Sequence, residues 1–220
     1  MPVLAMLLTL GGSFELPPSA AAALDQGAFT ATPMGFRIIA LSHIADGCAA
    51  QHRVDAGAAR TCVERALARA LETRPAGASL DDGRAGLWLT HLALILGAGD
   101  QTGPCLDEVA HRRVIEGLVR SSLADPSGHT SSYARRRERW SADQAATLAA
   151  IGRYDAAHHT ALLDDTLTKY RAALAAATDR PTGLPWSEVH GFGTGKHPRG
   201  CALSWSVRYL SEVDGELARS

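Results

Sequence analysis

The chain has 220 residues, 46% hydrophobic and 20% charged, an ordinary globular composition for one domain or at most two. Its 22 Lys and Arg stand against 23 Asp and Glu, so no net field draws it to nucleic acid or anionic lipid. The four Tyr, four Phe and four Trp do not interleave with basic residues, which excludes a strand-binding surface as well.

The first segment, PVLAMLLTLGG at 2–12, is an apolar run of signal-peptide length, and SAAAA at 19–23 offers small residues for a cleavage site. No Lys or Arg precedes the run, and it falls short of the roughly 20 residues of a membrane span. Residues 1–24 therefore read as a signal peptide with a mis-assigned start, a short membrane anchor or a buried first segment. Export, to the periplasm or the extracellular space, is the favoured reading, with 25–220 as a single helical domain.

Strand signals are nearly absent and helical periodicity recurs. GFRIIALSHIADGCAA (35–50) places Phe36, Ile39, Ala40, His43, Ile44 and Gly47 on one face, with His43 in the core. AARTCVERALARALE (58–72) repeats the pattern with Cys62, Val63, Ala66, Leu67 and Ala70. RAGLWLTHLALILGAG (84–99) is apolar nearly all round, so it is expected to be buried on both sides, His91 included, and to stop at Gly97 and Gly99. CLDEVAHRRVIEGLVRSSL (105–123) is amphipathic, with acids in its first turn. After a long loop, SADQAATLAAI (141–151) starts with the Ser141/Gln144 spacing of a capping box. ALLDDTLTKYRAALAAA (161–177) is amphipathic again, and a second long loop (179–200) leads into ALSWSVRYLSEVDGEL.

The apolar or small-residue helices start near 34, 84, 141 and 202, at steps of 50, 57 and 61 residues, with an amphipathic helix between each pair. This is the rhythm of stacked helical hairpins, inner helices covered by an outer layer. The long loops precede inner helices and gather at one rim, where function tends to sit.

On that rim, Asp143 lies in a helix first turn beside Trp140, either complementing the helix dipole or serving as a cleft carboxylate. Glu188 serves no helical pattern and is bracketed by Trp186 and His190. An apolar wall there would raise its pKa toward that of a general acid. Together Asp143 and Glu188 offer the two carboxylates of glycoside cleavage, with Trp140 and Trp186 as stacking platforms. His197, Arg199 and Cys201 stand before a helix, where a thiol pKa falls and anions bind; the bland alternative is a structural turn. Gly200 between them is expected to need a conformation that a β-branched residue resists, more so than Gly193. Asp81, Asp82 and Arg84 read as helix-cap residues or cleft acids, RRRER (135–139) as a solvated loop or an anion clamp, and Tyr133 as a cleft hydroxyl. Cys48, Cys62, Cys105 and Cys201 lack metal-ligand spacing, so neither a metal nor another cofactor is expected. They are buried hydrophobes or, in an exported chain, form one or two disulfides in any of three pairings.

WSADQAATLAAI, followed by TGLPWSEV and PRGCALSWSVRYL, resembles the α/α-toroid (six-hairpin) enzymes, a superfamily that includes glycoside hydrolases, lyases and the linalool dehydratase/isomerase family. The resemblance covers about residues 80–220 and rests on hairpin rhythm and loop texture. It implies an all-α fold, an incomplete α/α toroid of about seven helices that is either a partial barrel or completed by another copy or by further C-terminal helices. It also implies a hydrolase- or lyase-type enzyme acting on a carbohydrate-like or small neutral, terpenoid-like substrate in the rim cleft. In the dehydratase family cysteine, histidine and acidic residues line the site. The competing expectation is a non-catalytic helical module that binds a ligand or completes a partner's barrel.

Overall fold

The structure, a computed structural model, describes residues 13–26, 34–133, 138–191 and 194–219. The apolar run at 2–12 lies outside them. The described residues form eight α-helices: α1 (Pro18–Gln26), α2 (Met34–Ala50), α3 (Ala56–Glu72), α4 (Gly86–Thr102), α5 (Glu108–Ala124), α6 (Ser141–His158), α7 (Leu163–Leu174) and α8 (Gly200–Val213). The chain is mostly helical, as its periodicity predicts. The departure is the loop at 179–200, which carries two small antiparallel pairs: β1 (Thr178–Asp179) with β2 (Leu184–Pro185), and β3 (Glu188–Gly191) with β4 (Thr194–Lys196). Buried backbone amides need partners, and a segment without helical periodicity finds them by pairing with itself. No helix among the described residues is long and apolar enough to cross a membrane.

By internal contacts the chain divides into two compact units, one of residues 1–74 and 94–108, the other of 75–93 and 109–220. In the first, α2 and α3 form a hairpin clamped by a Cys48–Cys62 disulfide, which settles the pairing and leaves Cys105 and Cys201 as free thiols. Asp55 caps α3 by accepting from the Ala58 amide at 2.9 Å. The residues at 19–23 are helical, and Arg69 ties α1 to α3 through the Leu24 and Asp25 carbonyls at 2.9 and 3.0 Å. The α3 face is close to expectation, with Ala59, Cys62, Val63, Ala66 and Ala70 buried. The α2 face is not. Ile38, Leu41, Ala45 and Cys48 are inside, whereas Phe36 is 61% exposed and His43 is exposed. Cys48 must face α3 to reach Cys62, and that choice turns Phe36 and His43 outward. Burial and neighbouring Asp100 push the Cys105 thiol up to about 11.

Helix α4 is buried from Leu87 through Gly99, as its all-round hydrophobicity predicts, but it does not stop at Gly97 or Gly99. It runs on to Thr102 and ends at Gly103, whose positive φ of 148° breaks the helical path. Gly99 is instead the point where Leu106 crosses the helix.

In the second unit α6 and α8 pack side by side in parallel. Arg199 lies 4.9 Å over the Trp140 ring near their starts, and Arg153 pairs with Glu212 at 2.8 Å toward their ends, 59 residues apart. The first half of α4 has the same direction. Gly86 N and Leu87 N donate to Ser131 O and Ser132 O, the Thr130 amide donates to Gln144 Oε1 (2.8 Å) at the start of α6, and Thr90 and Thr147 meet at 2.7 Å. Helix α5 runs antiparallel along α6, with Ser122 at Gln144 (3.2 Å) and His111 edge-on to Tyr154. Helix α7 buries Thr166 and Tyr170.

Candidate functional site

The polar centre of the second unit is the β3–β4 hairpin. Glu188 and Lys196 are cross-strand partners, the register at which opposite charges stabilise a two-stranded ribbon. The strap is widened by the segment entering α6: Trp140 bridges to Glu188, Val189 N donates to Arg139 O (2.8 Å), and Ser141 N donates to Ser187 O (3.2 Å). Ser187, itself buried, accepts the Arg199 amide on its hydroxyl at 2.9 Å and so ties the start of α8 to the strap.

Glu188 is buried, 5% exposed, and both carboxylate oxygens are engaged. Oε1 is 3.0 Å from His190 Nε2, and Oε2 pairs with Lys196 Nζ. Burial alone would raise its pKa, but hydrogen bonding and charge from Lys196, then from His190, hold it below the usual range. This corrects two expectations. Glu188 has a structural partner set after all, and its pKa moves away from that of a general acid, because its nearest partner is the Lys196 ammonium, with His190 beside it, rather than a bare indole.

The capping box at 141/144 is also corrected. Trp140 holds the N-cap position without a side-chain hydrogen bond, Ser141 Oγ donates to Trp186 O at 2.5 Å, and Gln144 turns inward to Thr130 and Ser122. A fully buried amide with two interior partners does more here than a surface cap. Asp143 is in the first turn, as expected, and half-buried. Burial pushes its carboxyl up to about 6 and the Glu138 charge adds to this, while nearby Ser132 acts the other way without closing a hydrogen bond of normal geometry. The two carboxylates are thus pushed apart in pKa, with Asp143 rather than Glu188 the one that is raised.

Of the aromatic residues expected as stacking platforms, Trp140 carries cations. Lys196 Nζ is 5.1 Å and Arg199 Cζ 4.9 Å from the Trp140 ring centroid, and Trp186 is tilted against His197 at 5.6 Å. His197 is exposed and 3.8 Å from the buried carboxylate of Asp179. Cys201 is an exposed thiol in the first turn of α8. Gly200 has an ordinary backbone, and a Cβ there would meet nothing within 4 Å, so it does not carry the constraint expected of it; Gly193 lies outside the described residues. Tyr133 is 41% exposed, and its backbone carbonyl accepts from the Ser131 hydroxyl at 3.1 Å. Asp81 forms a two-pronged surface pair with Arg113 (2.6 and 2.7 Å) that holds its carboxyl low, and Asp82 pairs with Arg84, so neither is a cleft acid. Of RRRER, 135–137 lie outside the described residues. Arg139 is not solvated loop: it pairs with Asp125 at 2.5 Å.

No family model, curated protein or solved structure matches this chain.

The strap borders a cavity of about 490 Å³ that the sequence does not announce. Its floor is Ala172, Ala173, Ala176 and Ala177, from the end of α7 and the 3-10 turn Ala175–Ala177, with Val189 at the side. Asp125, Arg139, Lys169 and His190 stand around it. Neither Glu188 nor Asp143 lines it. The alanine run at 172–177 is legible as a smooth helix face, but the residues on the 125–127 turn that border it come from 45 or more positions away. Lys196 is legible in principle, through two strand-like tripeptides of opposite charge around a Gly-rich turn.

Proposed function

We propose that the second unit is a ligand-binding helical module, with a small molecule as its ligand in the cavity between α7, the turn at 125–127 and β3. The observation that carries this reading is a division of labour: a cavity of about 490 Å³ with an apolar floor, of a size suited to a small organic molecule, lies beside a Glu188 whose oxygens are both committed to Lys196 and His190. A carboxylate whose pKa is held below the usual range, paired with Lys196 and facing His190, fixes the hairpin that walls the cavity and is poorly suited to donate a proton. The experiment is a ¹H–¹⁵N titration of the full chain with octan-1-ol and with octanoate. Shifts concentrated at 125–127 and 172–177 support the reading, and a spectrum unmoved by either probe overturns it.

A second reading is favoured by Asp143. A half-buried carboxyl near 6 suits acid–base chemistry at neutral pH. In this reading the chain is a hydrolase- or lyase-type enzyme acting on a carbohydrate-like or small neutral ligand at the loop rim of an incomplete α/α toroid. The parallel run of α4, α6 and α8 supports that architecture. Turnover that vanishes in Asp143→Asn while the melting temperature is kept would bring it forward. The Cys48–Cys62 disulfide supports export to an oxidising compartment in either case.

A further inference from the structure

The charges around the cavity are unequally balanced. Asp125 is neutralised by Arg139, which pairs with it at 2.5 Å, and its remaining lone pairs take the Ser127 hydroxyl (2.6 Å) and amide (2.9 Å). His190 faces the buried Glu188 at 3.0 Å. Lys169 differs. Its ammonium donates to the Leu123 carbonyl in the last turn of α5, a neutral partner, so its charge meets no carboxylate there. An ammonium has three donors, and one carbonyl leaves it able to take further acceptors. The floor below is alanine, without a hydroxyl or amide to recognise a sugar's many hydroxyls. An apolar floor with, among the described residues, one uncompensated cation at its edge is complementary to an amphiphile with a single negative head.

Resting on the ligand-binding reading, we infer that the cavity takes a small organic mono-anion with a short aliphatic body, an alkyl carboxylate, its chain along Ala172–Ala177 and its carboxylate on Lys169. Asp125 stays silent because Arg139 holds it.

The test is titration calorimetry of the full chain with a charge series of equal length: octanoate, octan-1-ol and octylammonium, each below its micelle concentration. Octanoate is expected to bind at least about tenfold more tightly than octan-1-ol, with octylammonium weakest, and the preference is expected to weaken as salt is raised. Lys169→Met is expected to remove the preference, leaving octanoate no tighter than the alcohol, and Lys169→Arg to keep most of it. Melting temperatures taken alongside show whether Lys169→Met still folds. If it does not, the salt dependence and Lys169→Arg carry the test on folded protein. Equal binding of octanoate and octan-1-ol overturns the charge assignment and leaves the ligand-binding reading standing. Tighter binding of octylammonium also overturns it. Binding of none of the three overturns both.

Discussion

The Thr90 and Thr147 hydroxyls meet at 2.7 Å in the fully buried seam between α4 and α6. Thr147 Oγ1 also donates to the Asp143 carbonyl at 2.9 Å. A hydroxyl has one proton, so Thr147 must accept from Thr90. The two single substitutions are therefore not equivalent. Thr147→Val strands a buried donor and is expected to cost about 1–3 kcal/mol, whereas Thr90→Val leaves Thr147 bonded and is expected to cost less, about 1 kcal/mol. In the double variant the costs should fall short of additive. Denaturant unfolding of the four proteins of this cycle measures it, and additive costs would remove the pair as an interaction.

Cys48 and Cys62 close a loop 14 residues long in sequence separation. By loop-closure entropy, replacing both with Ala is expected to lower the stability of the full chain by about 3 kcal/mol. Reductant should reproduce the loss in the wild-type protein and leave the double variant unchanged. A melting curve indifferent to reductant would contradict the bond.

Two buried titrations act in opposite senses with pH. His129 is fully buried, with Nδ1 2.7 Å from Ser127 O, and burial takes its pKa down to about 4. The unfolded chain therefore takes up a proton near 6.5 that the folded chain refuses, and stability falls between pH 6.5 and 4 by about 3 kcal/mol. Asp143 is raised to about 6, so the folded chain keeps a proton that the unfolded chain has lost, and stability falls as pH rises from about 4 to 6. His129→Gln is expected to remove the first slope. Asp143→Asn is expected to stabilise by about 1 kcal/mol above pH 6, after screening at a half-exposed site, and to change nothing below pH 4. Thermal melts across pH 4–8 separate the two. Destabilisation by Asp143→Asn at pH 7 would contradict this sign and restore the dipole-complementing role.

Gly195 is where the strap has no room. A Cβ there would stand 2.7 Å from Trp186 Cγ, against a ring that is itself packed. Gly195→Ala is expected to cost about 1–3 kcal/mol. Gly200→Ala, in the first turn of α8 with open space around it, is expected to be neutral or to stabilise by up to about 1 kcal/mol. Comparing the two melting temperatures decides it.

What is legible in the sequence follows the range of the forces involved. The helices announce themselves through local periodicity, and the steps of 57 and 61 residues reappear as the pairing of Thr90 with Thr147 and of α6 with α8. Which face turns inward is less local, as the exposed Phe36 and His43 show for α2, where a disulfide partner decides the rotation. Trp140, Trp186, Glu188, His190, His197 and Arg199 do converge on one hairpin, so the neighbourhood is legible from loop chemistry alone. The pKa directions of Glu188 and Asp143 are not, because they depend on Lys196 across the strap and on how far Asp143 is covered, and neither is encoded in adjacent residues. The cavity is hidden for a similar reason: its alanine floor looks like any smooth helix and its cation, Lys169, like any surface lysine.

The central claim is that this cavity, rather than the Glu188 strap, holds the ligand. Ala176 lies exposed on its floor, so Ala176→Phe fills the space without disturbing a packed core. The decisive measurement is the octanoate dissociation constant of the wild-type and Ala176→Phe proteins by titration calorimetry, with melting temperatures alongside. The account predicts at least about tenfold weaker binding at an unchanged melting temperature. Equal affinity in the two proteins would contradict it.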